Sequence, residues 1–270
     1  MSSASHVSRE DFQHWQRCAQ TGELHFHVHD APRPDAAIRR RDAELLAGFG
    51  FAPHDFAGEL VVDVGAGPYL RTKYFEQSRI AVVEPLADEY RRQVPWNDLA
   101  DAEAVYSVPA ETIVPELTGQ AACVLSLNAI DHAFEPGRIL TNMRRYLKPD
   151  GVLLVSVDMH AGDDDDLHPV ALTPEALAEL VIDAGCAIER GYLYTPQGRN
   201  YGHGYACTLV ARPRTAGQPD GRHTPLVPLR TPVQLAWEET SRRAGSLARR
   251  ARRVATGQSR TMRRLLSRAG

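Results

Sequence analysis

The residues able to do chemistry in this chain stand at the ends of apolar runs. Asp131-His132 follows the run 121–127, and Asp158 and His160 follow the run 152–157. An imidazole with an ordinary pKa of about 6.5 is neutral near pH 7 and ready to take a proton. A neighbouring carboxylate stabilises the imidazolium so formed. Such a pair suits general-base catalysis on a hydroxyl, worth roughly 10²–10⁴ in rate. Each residue also has a plainer use: Asp131 suits capping of the next turn, and His132 suits packing. Gly65-Ala66-Gly67 ends the first apolar run, and Glu84 ends the second. The two glycines let the backbone bend and approach a ligand, and a carboxylate placed like Glu84 accepts ribose hydroxyls. His25, His27 and His29 alternate, so an extended segment would put them on one side, lining a pocket or, more simply, facing solvent. Asp158, His160, Asp163 and His168 offer oxygen and nitrogen to a cation, but no spacing demands one. The run Asp163–Asp166 reads as a solvated loop, and no metal is expected.

These residues need a scaffold, and the chain supplies one. The first fifty residues read as two helices, one capped by Ser8 and the other running from about Asp35 to Phe49. From Glu59 onward strands alternate with helices. Strands are expected at 59–64, 79–84, 104–108, 121–127 and 152–157, each but the last followed by a helix or turn before the next. The first of these helices follows the glycine turn directly; others cover 86–93 and 136–147. A helix led by Thr173 and Pro174 precedes two closing strands, about 187–194 and 205–211, with no helix between them. The expected fold is α/β: a doubly wound, seven-stranded sheet, mostly parallel, with a terminal antiparallel hairpin and N-terminal helices. Three segments follow: a helical cap at 1–54, a ligand-binding domain at 55–212, and a Pro/Arg-rich linker with a basic helical tail at 213–270. Because the strand pattern closes by Ala211, the sheet is expected not to need the residues after Arg212.

A lone G-x-G turn serves nicotinamide, flavin and adenosylmethionine sites alike. Here Leu70 takes the place of the third glycine of a dinucleotide fingerprint, which disfavours pyrophosphate binding. Four segments together are more specific. Val61–Pro68 resembles the first motif of class I S-adenosylmethionine-dependent methyltransferases, and Val83-Glu84-Pro85-Leu86 is similar to their ribose motif. Asn128–Pro136 is similar to the segment after their fourth strand, and Leu147–Gly151 to the turn entering their fifth. The resemblance spans about residues 55–212 and implies S-adenosylmethionine as cofactor. It gives Gly65, Ala66 and Gly67 to the methionine part, Asp63 to ordering of that turn, and Glu84 with Pro85 to the ribose. Leu86 would pack on adenine and Asn128 would present its backbone to the methionine end. Ala110 and Glu111 fall at the adenine contact, where Pro109 replaces the usual aspartate; Asp150 replaces the first glycine of a Gly-Gly pair. The implied reaction is methyl transfer to a small-molecule or glycan acceptor, with His132, Asp131 and His160 as catalytic candidates and a hydroxyl oxygen as the target. Transfer to nitrogen or carbon of a metabolite or lipid is the first alternative, and a non-catalytic cofactor-binding module the second.

Charge points to partners. Residues 241–270 hold ten arginines and no acid; against the formal net charge of −3, this leaves −13 on residues 1–240. An acidic body disfavours nucleic acid, and no Asn/Asp-Pro-Pro-Tyr-type motif follows the fourth strand. The basic tail suits peripheral contact with an anionic membrane. With a polar start, no apolar run of spanning length and four scattered cysteines that read as reduced, the expected location is cytoplasmic.

Overall fold

A computed structural model describes residues 9–159, 170, 172–194 and 205–229, with side chains from Arg17 onward. All of them belong to one compact unit, Met1–Leu229. The acidic run, His160 and His168, and the basic tail with Trp237 and Leu265-Leu266 lie outside the described residues.

Two helices come first, α1 (Arg9–His25) and α2 (Ala36–Gly48). Asp35 caps α2 by accepting from the amides of Ala37 and Ile38, both at 2.9 Å. The sheet begins with β1 (Leu60–Val64) and β2 (Arg79–Val83), followed by α3 (Ala87–Gln93) and β3 (Ala104–Tyr106). Then come β4 (Ala121–Leu127), α4 (Pro136–Tyr146), β5 (Leu147–Asp158) and α5 (Pro174–Asp183). The chain closes with β6 (Cys186–Tyr194), β7 (Ala206–Pro213) and β8 (Leu226–Pro228). The order across the sheet is β3-β2-β1-β4-β5-β7-β6-β8. The first five strands are mutually parallel, and β7 runs antiparallel to both β5 and β6. Strand order reverses between β1 and β4, and the carboxyl ends beside such a reversal are where ligands bind.

Continuous burial along β1 and β4 matches their Val/Leu-rich sequences, since parallel strands are covered on both faces. On one face α4 and α5 contribute Leu140, Met143, Leu177 and Val181 to a core over Val62, Val124 and Leu153. On the other, Leu46 of α2 and Phe49 at its C-terminal cap join Phe51, Phe56 and Phe75 over Val61, Leu125 and Leu154. Cys123, Cys186 and Cys207 are free, buried thiols.

Three details differ from the sequence expectation. The sheet has eight strands, not seven. β8 lies parallel to β6, pairing Gly191 with Leu226, inside the stretch read as linker. Proline-rich sequence hides this strand, yet an edge strand tolerates proline because one side of its ladder is unpaired. Second, the glycine turn leads into a single 3₁₀ turn, Arg71–Tyr74, and not a helix. Third, the histidine-rich segment is one turn of π-helix, Phe26–Asp30, continuing α1, and not extended chain. The exposed His25 and His29 rings therefore lie against each other, 4.5 Å between centroids and tilted by 50°, while His27 turns the other way.

Candidate active site

The glycine turn is tied to the sheet from both sides. Gly65 at φ 71° donates its amide to the Val83 carbonyl (2.9 Å), and a Cβ there would lie 2.4 Å from the Ala129 side chain. It is glycine so that the loops after β1 and β4 can touch. Gly67, at φ 63°, donates to Glu84 Oε2 (2.9 Å), and the Leu86 amide donates to Oε1 (3.0 Å). Glu84 thus holds the turn and its own strand end together. It is 5% exposed, and burial pushes its carboxyl up to about 7, against the two amide bonds that favour the anion. Asp63 is buried beneath, accepting from Thr72 Oγ1 (3.0 Å), and burial pushes it up to about 6. Leu86 is buried with Val82 and Tyr90, and the Pro85 carbonyl accepts from Ser107 Oγ (3.4 Å).

Across the reversal point, Asn128 adopts the left-handed conformation at φ 59°, which asparagine tolerates better than most residues. Its amide donates to the Ser156 carbonyl (2.8 Å), and its side-chain oxygen accepts from the Asp158 amide (3.3 Å). Ile130–His132 forms a 3₁₀ turn. Its Asp131 carboxylate is 1% exposed, and His132 Nε2 lies 3.8 Å from Oδ2 with the imidazole 27% exposed. That separation gives a charge contact with a protonated ring and is too long for a hydrogen bond. Glu111 is buried, with its carboxyl held by the Glu135 amide at the start of α4 and by its own amide. Burial dominates and pushes it above the usual carboxylate range. The Ala110 carbonyl accepts from Asn142 of α4 (3.0 Å). Both residues are therefore engaged with α4 and its N-cap. His160 lies outside the described residues.

Several contributors have no local sequence signature. Arg71, in the 3₁₀ turn, donates to the Leu127 carbonyl (3.0 Å) and lies 3.8 Å from Asp42 of α2. Tyr69 bonds to Asp42 and carries the Arg39 guanidinium 5.0 Å above its ring. Tyr194 Oη lies 3.1 Å from Ser156 Oγ, which accepts from Thr208 Oγ1 at 2.8 Å. From α1, Glu23 accepts from His27 Nε2 (2.9 Å). Burial raises the Glu23 carboxyl, but the His27 bond and the His132 charge outweigh it and hold it below the usual range. Arg71, Glu23 and Tyr90 carried no signal in the sequence.

The arrangement can hold a nucleoside through a buried carboxylate and a glycine cradle, and it places an imidazole at the neighbouring strand end. Among the described residues no group of three or more His, Cys, Asp or Glu could hold a metal, and no helix is long and apolar enough to cross a membrane.

A family model described as a methyltransferase domain matches residues 62–155. No curated protein sequence matches the chain. Among solved structures, the chain is similar to 1,6-didemethyltoxoflavin-N1-methyltransferase of Burkholderia thailandensis with bound 1,6-didemethyltoxoflavin and S-adenosylhomocysteine. That match has 19% identity and a TM-score of 0.55 and covers 79% of this chain and 94% of that one. The [4+2]-cyclase SpnF is similar at 17% identity and a TM-score of 0.54, over 74% and 96% of the two chains. A protein from Galdieria sulphuraria proposed to be a sarcosine dimethylglycine methyltransferase follows at 14% and 0.53, over 72% and 98%. At such identities the likeness is one of fold.

Proposed function

We propose that this chain, whose residues 62–155 match a methyltransferase-domain model, is a class I S-adenosylmethionine-dependent methyltransferase that moves the methyl group to a hydroxyl oxygen of a small-molecule or glycan acceptor. The observation that carries the oxygen assignment is the Asp131–His132 pair, a buried carboxylate beside a partly exposed imidazole, four residues past the end of β4. The site residues fit the cofactor. Glu84 is a buried acceptor whose oxygens can each take a further hydrogen bond, Gly67 puts no side chain beside them, and Tyr90 Oη is buried with no hydrogen-bond partner in the structure.

S-adenosylmethionine supplies an electrophilic methyl on a sulfonium. The protein's share would be alignment: Glu84 and Pro85 would hold the ribose, Leu86 would flank the adenine, and Gly65–Gly67 with Asp63 and Asn128 would form the methionine end. Alignment of nucleophile and methyl accounts for much of the acceleration in a direct displacement. With the cofactor bound, His132 Nε2 would take the hydroxyl proton as the oxygen bonds to the methyl carbon and the carbon–sulfur bond breaks, leaving S-adenosylhomocysteine, and the buried Asp131 carboxylate would stabilise the resulting imidazolium across 3.8 Å. The acidic body favours a small acceptor over nucleic acid.

The Burkholderia neighbour, by its name, methylates nitrogen, and this keeps a nitrogen acceptor as the second reading. One experiment separates them. Phenolic, sugar and amine acceptors are screened by release of S-adenosylhomocysteine, and His132→Ala is compared with wild type on the best one. Oxygen transfer predicts kcat lower by about 10²-fold with S-adenosylhomocysteine affinity changed less than twofold. Turnover within a few-fold of wild type on an amine would favour nitrogen and remove His132 from the chemistry.

A further inference from the structure

Ser156 of β5 and Thr208 of β7 are paired in the antiparallel register, both buried, on the sheet face that packs under α2. Tyr194, the last residue of β6, stands one row nearer the carboxyl edge, level with Ala206 and Asp158. Its ring packs on Phe49, 5.8 Å between centroids. Its hydroxyl lies 3.1 Å from Ser156 Oγ, so the phenol reaches across β7 to β5. The Ser156 carbonyl accepts the Asn128 amide at 2.8 Å. One serine thus holds the loop after β4 by its backbone and the Tyr194 hydroxyl by its side chain. The charges of Asp158, Arg71 and Asp42 all act on this phenol.

The protons of the three hydroxyls can be assigned one by one. Thr208 Oγ1 donates to Ser156 Oγ at 2.8 Å. The Ser156 proton has a single acceptor within hydrogen-bond distance among the described residues, Tyr194 Oη. Tyr194 therefore accepts from Ser156, and its own proton finds no acceptor among the described residues. A buried donor left without an acceptor is costly, and such groups call for a partner. Burial pushes the phenol up to about 12, so near neutral pH it is a donor and not a base. Tyr194 keeps partial exposure, unlike the two hydroxyls behind it. The phenol comes from the β5–β7–β6 side of Asn128, opposite to the glycine turn and Glu84 on β1 and β2. This is the side left for the acceptor when the cofactor spans β2, β1 and β4. A hydrogen bond donated to the reacting oxygen would withdraw the electron density that attacks the methyl. The donor therefore suits a second oxygen of the same molecule.

We propose that the Tyr194 hydroxyl, aimed by Ser156 and Thr208, binds an oxygen of the acceptor other than the one methylated, and so selects acceptors with two oxygens: a catechol, a hydroxy acid or a sugar diol. This rests on the oxygen-transfer reading above. The test compares paired acceptors (catechol, 2-hydroxybenzoate, methyl glucoside) with single-oxygen counterparts (phenol, cyclohexanol) and with amines, by release of S-adenosylhomocysteine. Wild type has the lower KM on the paired acceptors. Tyr194→Phe keeps the ring on Phe49 and deletes the donor. It raises KM on a paired acceptor roughly five- to tenfold, as one lost hydrogen bond does, with kcat changed less than threefold. KM on the single-oxygen counterpart and affinity for S-adenosylhomocysteine stay within twofold. Ser156→Ala removes the aim of the phenol and raises the same KM several-fold, yet adds less than twofold in a Tyr194→Phe background. KM within twofold of wild type in Tyr194→Phe overturns the proposal. An equal loss on single-oxygen acceptors does so too, because the ring would then act by packing alone. A matching loss of S-adenosylhomocysteine affinity also does, since the hydroxyl would then belong to the cofactor. Wild type that methylates amines only, or none of these acceptors, overturns the oxygen reading itself.

Discussion

Glu84 is both the buried carboxylate that shapes the glycine turn and the proposed ribose acceptor, and these two duties respond oppositely to pH. Its carboxyl is raised from 4.5 to about 7 in the folded protein, chiefly by burial. A raised carboxyl favours folding while protonated. This stability is complete below the unfolded value near 4.5 and is lost as pH climbs through about 7. A shift of this size corresponds to ~3 kcal/mol at 1.36 kcal/mol per unit. Glutamine at position 84 does not titrate, so the stability difference between wild type and Glu84→Gln isolates this residue from Asp63, which titrates in both proteins. Urea denaturation of the ligand-free proteins at several values between pH 4.5 and 7.5 should show that difference changing by ~3 kcal/mol, with wild type favoured at the acid end. Binding runs the other way. The anion is the better acceptor for ribose hydroxyls, so wild-type affinity for S-adenosylhomocysteine should rise as pH passes 7. Loss of hydrogen bonds to a charged group, ~1.5–3 kcal/mol, should weaken binding in the variant by roughly 10- to 100-fold at pH 8. At pH 5.5 the gap should narrow. A stability difference flat with pH would refute the burial argument. A binding difference flat with pH would refute the assignment of the anion to the ribose.

Truncation after Arg212 removes β8 with Leu226 and Leu229, which pack on the two cores, and should lower the melting temperature by about 5–15 °C. Truncation after Leu229 should keep S-adenosylhomocysteine binding and, on our reading of the basic tail, abolish salt-sensitive retention on anionic vesicles; persistent retention would place the basic surface elsewhere. Gly65→Ala combines a positive φ with a 2.4 Å approach to Ala129, so urea denaturation should show a loss of ~2 kcal/mol or more. Gly67→Ala, whose nearest neighbour is the movable His27 ring at 3.5 Å, should cost less stability and more cofactor affinity.

The succession of elements along the chain, the glycine turn, Glu84 and the Asp131–His132 turn were legible in the sequence because each is a local pattern. Apolar runs of strand length must be buried, and Gly-x-Gly after such a run bends sharply wherever it occurs. Asp35 and Thr173 announced their helices in the same way, each bonding to amides two or three residues on. What sequence could not decide depended on partners far along the chain. The turn after Gly67 stays 3₁₀ while α2, some thirty residues earlier, braces it through Asp42 and Arg71. A proline-flanked tripeptide becomes β8 because β6 offers an unpaired edge, with Gly191 leaving room for Leu226. Glu111 turned to the amide of Glu135, since a buried carboxylate needs the nearest available donor. His27 meets Gly67, forty residues away, because α1 continues into a π-turn that carries one histidine inward and leaves its two neighbours outside. Local patterning selects elements and their order; which side chains meet across the site is fixed by packing, where the free energy lies in contacts between residues distant in sequence.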